Sequence, residues 1–202
     1  MRGAILGAWA IAAVWPLEGQ EQSYRQLRQW CYGQSTETVQ GCDAVIRWSR
    51  ESPRDTGTAF YNRGIAYRNQ GRLDRAIEDY DLALRLRPDF ADAWNERGVA
   101  YRQKGDLPRA PEDFNEAIRL KPDHAAAFFN RGAAWAGLGR FDHAIADFDR
   151  TLELQPDDPD SLFGRGLARR SKGDMAGGDA DIAAAKARKP ALSDALARSG
   201  VK

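Results

Sequence analysis

The sequence predicts an all-α protein, an array of antiparallel helix pairs. Three columns of residues predict it. Gly64, Gly98, Gly132 and Gly166 recur at a stride of 34 residues, Gly71, Gly105, Gly139 and Gly173 keep the same stride, and so do Pro88, Pro122, Pro156 and Pro190. Columns that stay in register without an insertion mark a repeat array whose units bury their faces on one another.

One unit is read from Thr58 to Phe90. Apolar residues fall at Phe60, Ile65 and Tyr67, then at Leu73, Ile77, Tyr80, Leu84 and Leu86, each set at the spacing of one buried helix face. Gly71 lies between the sets, where a helix end needs a residue that accepts the left-handed conformation. Pro88 stops the second set, because proline neither donates nor fits a helix interior. The predicted helices are about Thr58–Gln70 and Leu73–Leu86. Gly64 and Ala76 are small and let two backbones approach, while Phe60, Tyr67 and Tyr80 fill the space beside them. The columns return as Trp94, Gly98, Tyr101, Ala110 and Phe114, and again as Phe128, Gly132, Trp135, Ala144 and Phe148.

In that order (aromatic, Gly, aromatic, Ala, aromatic, then Ala83 or Ala117, then Pro) the columns resemble the tetratricopeptide repeat family over about residues 57 to 192. The resemblance implies a right-handed superhelix of antiparallel helix pairs whose first helices line a concave groove. It also implies a protein that binds peptides or helices of other proteins and is not an enzyme. The repeats fall at 57–90, 91–124 and 125–158, with a degenerate fourth at 159–190. In the second, Pro108 and Pro111 predict a helix near Leu107–Leu120 that starts late or distorted. In the fourth, Arg169 stands in the aromatic column and Gly178 in the Ala column, with Gly177 beside it. Each helix-interior Gly costs about 1 kcal/mol against Ala, so Asp179–Lys189 is expected to be the softest part. A short capping helix, Leu192–Arg198 with Ser193 as its N-cap, is expected within 191–202.

The chain opens with Met1-Arg2-Gly3 and an apolar run from Ala4 to Val14, ending at Pro16. The run is shorter than the roughly 20 residues of a membrane span and fits the core of a secretory signal peptide. The expected leader is 1–19, with cleavage after Gly19; an uncleaved anchor or a buried helix is the alternative. An exported, periplasmic or secreted, mature chain without a stable membrane span follows. Residues 20–56 match the repeat columns poorly and read as a helical hairpin, with its second helix about Thr36–Arg50, that caps the first repeat. Cys31 and Cys42 are the only cysteines. In a reducing cytosol they would be inert core thiols or part of a metal site; in an exported chain an even pair reads as a disulfide. Exported bacterial tetratricopeptide proteins look similar here, with a Cys pair before the Asn-Arg-Gly that opens the first full repeat.

The residue before each first Gly is Arg63, Arg97, Arg131 and Arg165, where the family usually has an apolar side chain. A second column is acidic throughout: Asp79, Asp113, Asp147 and Asp181. Both keep the stride, so each Arg is expected to span a helix interface to an Asp as a structural ladder, with binding of an anionic ligand as the alternative. By spacing from the buried columns, the groove face carries Tyr61, Ile65, Arg68 and Asn69, then Asn95, Val99, Arg102 and Gln103. Phe129, Ala133 and Ala136 follow in the third repeat, and Phe163, Leu167 and Arg170 in the fourth. This mixture suits an extended or helical peptide with apolar anchors and an acidic group. Phe129 and Phe163 are equally expected to be covered by neighbouring repeats or by another copy of the chain. Some tetratricopeptide domains clamp a chaperone's C-terminal carboxylate with Lys, Asn and Arg. Here those columns hold Tyr61, Ile65, Glu96, Ala126 and Asn130, so that clamp is absent.

Lys+Arg 30 nearly balances Asp+Glu 29, for a net charge of +1, which argues against nucleic acid as a partner. No clustered Gly-rich phosphate loop is present. His124 and His143, the only histidines, have no nucleophile or carboxylate pair recurring beside them, so no catalytic residue, metal or cofactor is expected. The expected partner is a protein or peptide; self-association into a structural assembly is the main rival, and an enzyme of the cell envelope a lesser one.

Overall fold

The computed structural model describes residues 17–33, 37–48 and 51–190, and within these the chain is helical throughout its ordered elements. The cap hairpin is α1 (Leu17–Tyr32) and α2 (Thr38–Trp48). Four pairs follow: α3 (Pro53–Asn69) with α4 (Leu73–Leu86), α5 (Ala91–Lys104) with α6 (Ala110–Leu120), α7 (Ala125–Gly137) with α8 (Phe141–Leu154), and α9 (Pro159–Ser171) with α10 (Met175–Arg188). Residues 1–16 of the leader expected at 1–19, and the capping helix expected at 192–198, lie outside the described residues. Gly19, the expected cleavage point, falls in the first turn of α1.

The start of the first repeat differs from the sequence reading. The first helix of repeat one begins at Pro53, not Thr58, because Ser52 caps it: its hydroxyl accepts from the Asp55 amide at 3.1 Å, and Pro53 occupies the opening turn. A proline there sacrifices only an amide that has no intrahelical partner. The late start expected in repeat two is observed: α6 begins at Ala110, three residues later than the equivalent starts of α4 and α8. Pro108 precedes the helix and Pro111 sits in its first turn, so neither interrupts a helical hydrogen bond.

The turn glycines Gly71, Gly105, Gly139 and Gly173 have φ of 73°, 84°, 71° and 94°, the region where a Cβ is strained. The other glycine column sets helix separation. A Cβ on Gly98 would lie 2.7 Å from the Phe114 ring, and one on Gly64 2.7 Å from the Tyr80 ring. Tyr80, Phe114 and Phe148 are thereby fully buried. Repeat four uses the same device twice. A Cβ on Gly178 would meet Arg170 Cγ at 2.4 Å and the Gly166 carbonyl oxygen at 2.7 Å. Gly178 is therefore a contact point between α9 and α10, and the segment read as having little to bury places Asp181, Ile182 and Ala185 in the interior.

Curvature follows from which helices touch. The first helices pack side by side, α1 on α3, α3 on α5, α5 on α7 and α7 on α9, whereas among the described residues α4, α6, α8 and α10 make no such contacts with one another. The first helices thus form the inner layer and the second helices the splayed outer layer.

Cys31 and Cys42 form a disulfide with Cα atoms 4.5 Å apart. The bond sits in a small core with Val45 and Ala59, and the Asn62 amide donates to the Cys31 carbonyl at 3.0 Å. The cap is thus joined covalently within itself and by hydrogen bond to the first repeat.

Candidate functional site: the inner helix face

Two arginine columns rise along the first helices, and they meet different surroundings. Arg63 donates from Nε and Nη2 to the two oxygens of Asp79, at 2.8 and 2.6 Å. Arg97 holds Asp113 in the same fork at 2.8 and 2.7 Å. Arg131 on Asp147 and Arg165 on Asp181 repeat it at 2.8 and 2.6 Å. Fork-on-carboxylate geometry supplies two parallel charge-assisted bonds. The aspartates are buried, so each needs its cation.

The third donor of each guanidinium reaches backwards, a contact the sequence reading did not single out. Arg97 Nη1 bonds Asp81 at 2.5 Å, Arg131 Nη1 bonds Asn115 at 2.7 Å and Arg165 Nη1 bonds Asp149 at 2.6 Å. Asp81, Asn115 and Asp149 keep the 34-residue stride, and that signal could have found them. Arg63 has no repeat before it and uses Asp43 of the cap at 2.5 Å. Each Arg therefore fastens the second helix of its own unit to the element before it. Burial pulls Arg63 and Arg97 down, but the hydrogen bonds and charges of their carboxylates raise both above the ordinary arginine value. Aromatic rings flank the guanidinium: Trp94 at 4.7 Å and Tyr101 at 5.9 Å for Arg97, Phe60 at 5.3 Å and Tyr67 at 5.8 Å for Arg63. In repeat four Arg169 replaces the aromatic and gives Asp181 a second cation at 2.8 Å.

The second column lies five residues on. Arg68 Nε stands 3.1 Å from Glu96 Oε2, a pair that crosses from α3 to α5 between the inner helices. Burial pushes Glu96 up, and Arg68 pulls it back. Arg102, its equivalent in α5, is half-buried, and its Nε is out of contact with water without a hydrogen-bond partner. Burial alone pushes its guanidinium below the ordinary arginine value. Arg170 lies 3.6 Å from Asp179.

The other residues read as groove face divide into three groups. Tyr61, Ile65, Phe129, Ala133, Ala136, Phe163 and Leu167 are half-buried. Tyr61 packs on Phe90 at 4.6 Å, and Phe129 on Phe148 at 5.8 Å. Asn69 and Gln103 are exposed. Asn95 and Val99 are buried, which is a correction: they are not open groove wall. The neighbouring inner helix closes over this stretch of α5, the Asn130 amide donating to Asn95 Oδ1 at 3.0 Å, while Val99 joins the core around Phe114 and Ala134. Helical spacing gives a direction around one helix but not how much of it the next helix covers.

Among the described residues no group of three or more His, Cys, Asp and Glu is placed to hold a metal ion, and no helix is long and apolar enough to cross a membrane.

Comparison with known proteins agrees with this architecture. Residues 61–125 match one tetratricopeptide repeat family model and residues 125–158 another. None of the curated proteins matches in sequence. Among solved structures, MamA 41-end from Desulfovibrio magneticus RS-1 superposes with a TM-score of 0.73 at 21% identity, covering 84% of this chain and 95% of that one. YrrB, described as a tetratricopeptide protein with an unusual peptide-binding site, gives 0.67 at 18% identity over 91% of this chain and 88% of its own. The first tetratricopeptide domain of Spaghetti (RPAP3), bound to the HSP90 peptide SRMEEVD, gives 0.59 at 25% identity over 59% of this chain and 95% of its own. With the stride, the small-and-large packing columns and the inner layer of first helices, these matches make the chain a member of the tetratricopeptide repeat family.

Proposed function

We propose that this protein is a non-catalytic adaptor that holds a peptide or helix of a partner protein along its inner helix layer, in an exported compartment. One observation carries the reading: the four Asp-paired arginines are consumed in fastening the array, while the inner layer keeps half-buried Tyr61, Phe129, Phe163 and Leu167 for contact. A groove held in shape beforehand loses less on binding, because little is left to order. Two of the matched structures have peptide binding in their descriptions. The HSP90-type ligand is not the one expected here. The clamp columns of such domains hold Tyr61, Ile65, Glu96, Ala126 and Asn130, and Glu96 would repel a carboxylate. The disulfide favours an oxidising compartment, and the apolar run from Ala4 to Val14 supplies a route there.

Site-specific photo-crosslinking tests the reading. With the crosslinker at Phe163 in the native envelope, the expected product is one defined partner segment, lost when Tyr61 and Phe129 are replaced by Ala. Recovery of only further copies of this chain would replace the adaptor with a self-assembling scaffold.

A further inference from the structure

Arg68 and Arg102 are equivalent residues one repeat apart, but their surroundings differ at two equivalent positions. Beside Arg68 stand Tyr80, whose hydroxyl feels the arginine's charge, and Glu96, which neutralises it. One stride on, these become Phe114 and Asn130. Phe114 has no polar atom. Asn130 carries no charge, and its amide donates to Asn95. Arg102 thus keeps the cation and has neither the acid nor a hydroxyl beside it. Among the described first helices of the four repeats it is the arginine without an ion pair or a hydrogen bond, since Arg68 faces Glu96 and Arg170 faces Asp179. Its Nε is buried and unsatisfied, while its terminal nitrogens reach solvent. A desolvated donor without an acceptor is costly, and a carboxylate presented edge-on to the fork would remove that cost.

We infer that Arg102 is a carboxylate-recognition point in the inner groove, taking an Asp or Glu side chain of a bound peptide at the position Glu96 fills internally for Arg68. The inference rests on the adaptor reading and specifies the ligand. The next inner helix offers Phe129, Ala133 and Ala136, without charge. The peptide therefore carries its acid over repeat two and apolar side chains over repeat three. Glu96, already neutralised by Arg68, makes the neighbouring site a poor one for a second acid.

The test selects binders from a random twelve-residue peptide library on the full disulfide-bonded chain and measures the synthesised winners by fluorescence anisotropy. The expected winners carry an Asp or Glu whose change to Asn or Gln weakens binding about tenfold to the wild-type protein, and less than about twofold to Arg102→Gln. Asn130→Glu, which restores the internal acid, is expected to weaken the same peptides about tenfold while leaving the thermal midpoint equal or higher. Winners that depend on Phe129 but ignore their carboxylate would overturn the inference and leave the adaptor standing. Winners indifferent to Phe129, Phe163 and Tyr61, or none at all, would overturn both. Thermal melts of Arg102→Gln and Asn130→Glu separate lost recognition from lost fold.

Discussion

Arg97 and Arg102 stand on the same helix, about a turn and a half apart, in opposite surroundings. Arg97 is satisfied by two carboxylates and two rings; Arg102 has no acid at all. The fork of Arg97 on a buried aspartate returns in every repeat, and the bare arginine does not. A repeat array keeps in every unit what stacking requires, because each interface is the same mechanical problem. A position that departs from its own column is free of that requirement, and recognition can be built there. The difference between columns therefore separates the arginines that fasten the framework from the one proposed as a contact.

The largest expected effect would break this comparison if it failed. Arg97→Ala leaves Asp113 buried with its cation gone and is expected to destabilise by about 3 kcal/mol, the low end for breaking a buried pair, since the guanidinium side chain keeps 17% exposure. Arg102→Ala is expected to stay within about 0.5 kcal/mol of the parent. Chemical denaturation of both variants measures the contrast; equal losses would erase the distinction between the columns.

Reduction of Cys31–Cys42, or Cys31→Ser with Cys42→Ser, is expected to cost about 2–3 kcal/mol. The loss should concentrate in α1 and α2, which among the described residues pack on α3 alone beyond their own hairpin. Hydrogen exchange would read it as early opening of the cap while α5 to α8 keep their protection. Uniform loss would mean that the cap and the repeats unfold as one unit.

Gly178→Ala sharpens the reading of repeat four. Helix propensity alone favours Ala by about 1 kcal/mol. The Cβ would strike the Gly166 carbonyl, so a net loss of about 1–2 kcal/mol is expected instead. A gain in thermal midpoint would return Gly178 to being a simple helix defect.

The smallest effect concerns pH. His124 Nε2 lies 3.2 Å from Asp92 Oδ1, off the line of a hydrogen bond. Burial lowers its pKa, and Asp92 only partly offsets this. The folded chain thus binds the proton less well than the unfolded one. The His124 contribution is complete above the unfolded value of about 6.5 and is lost as pH falls through the lower folded value. Stability measured from pH 7.5 to 5 is expected to fall by less than about 1 kcal/mol on this account, and His124→Gln to flatten that part of the slope.

Much of the framework was legible beforehand. Glycine at the turns, proline after each pair and the alternation of small and large columns are local or strictly periodic features, and periodicity survives without knowledge of the fold. The Arg–Asp offset was legible for the same reason. The backward partners were harder to see, because Asn115 interrupts an otherwise acidic column and Asp43 lies outside the stride. The fate of Asn95 and Val99 was not legible, since helical spacing gives a direction around one helix and says nothing of the next helix laid over it. The start of α3 was misplaced because Ser52 and Pro53 extend a helix beyond the repeat.

By itself, the sequence determined the helix pairs, their order, their stride and the charges that fasten them, because each unit meets only its neighbours and the same contacts must recur. Only the tertiary structure decided which side chains of the inner face are paired or covered and which are not. Arg68 and Arg102 carry the same group at the same register, and what separates them is a carboxylate brought alongside one and not the other by a different helix.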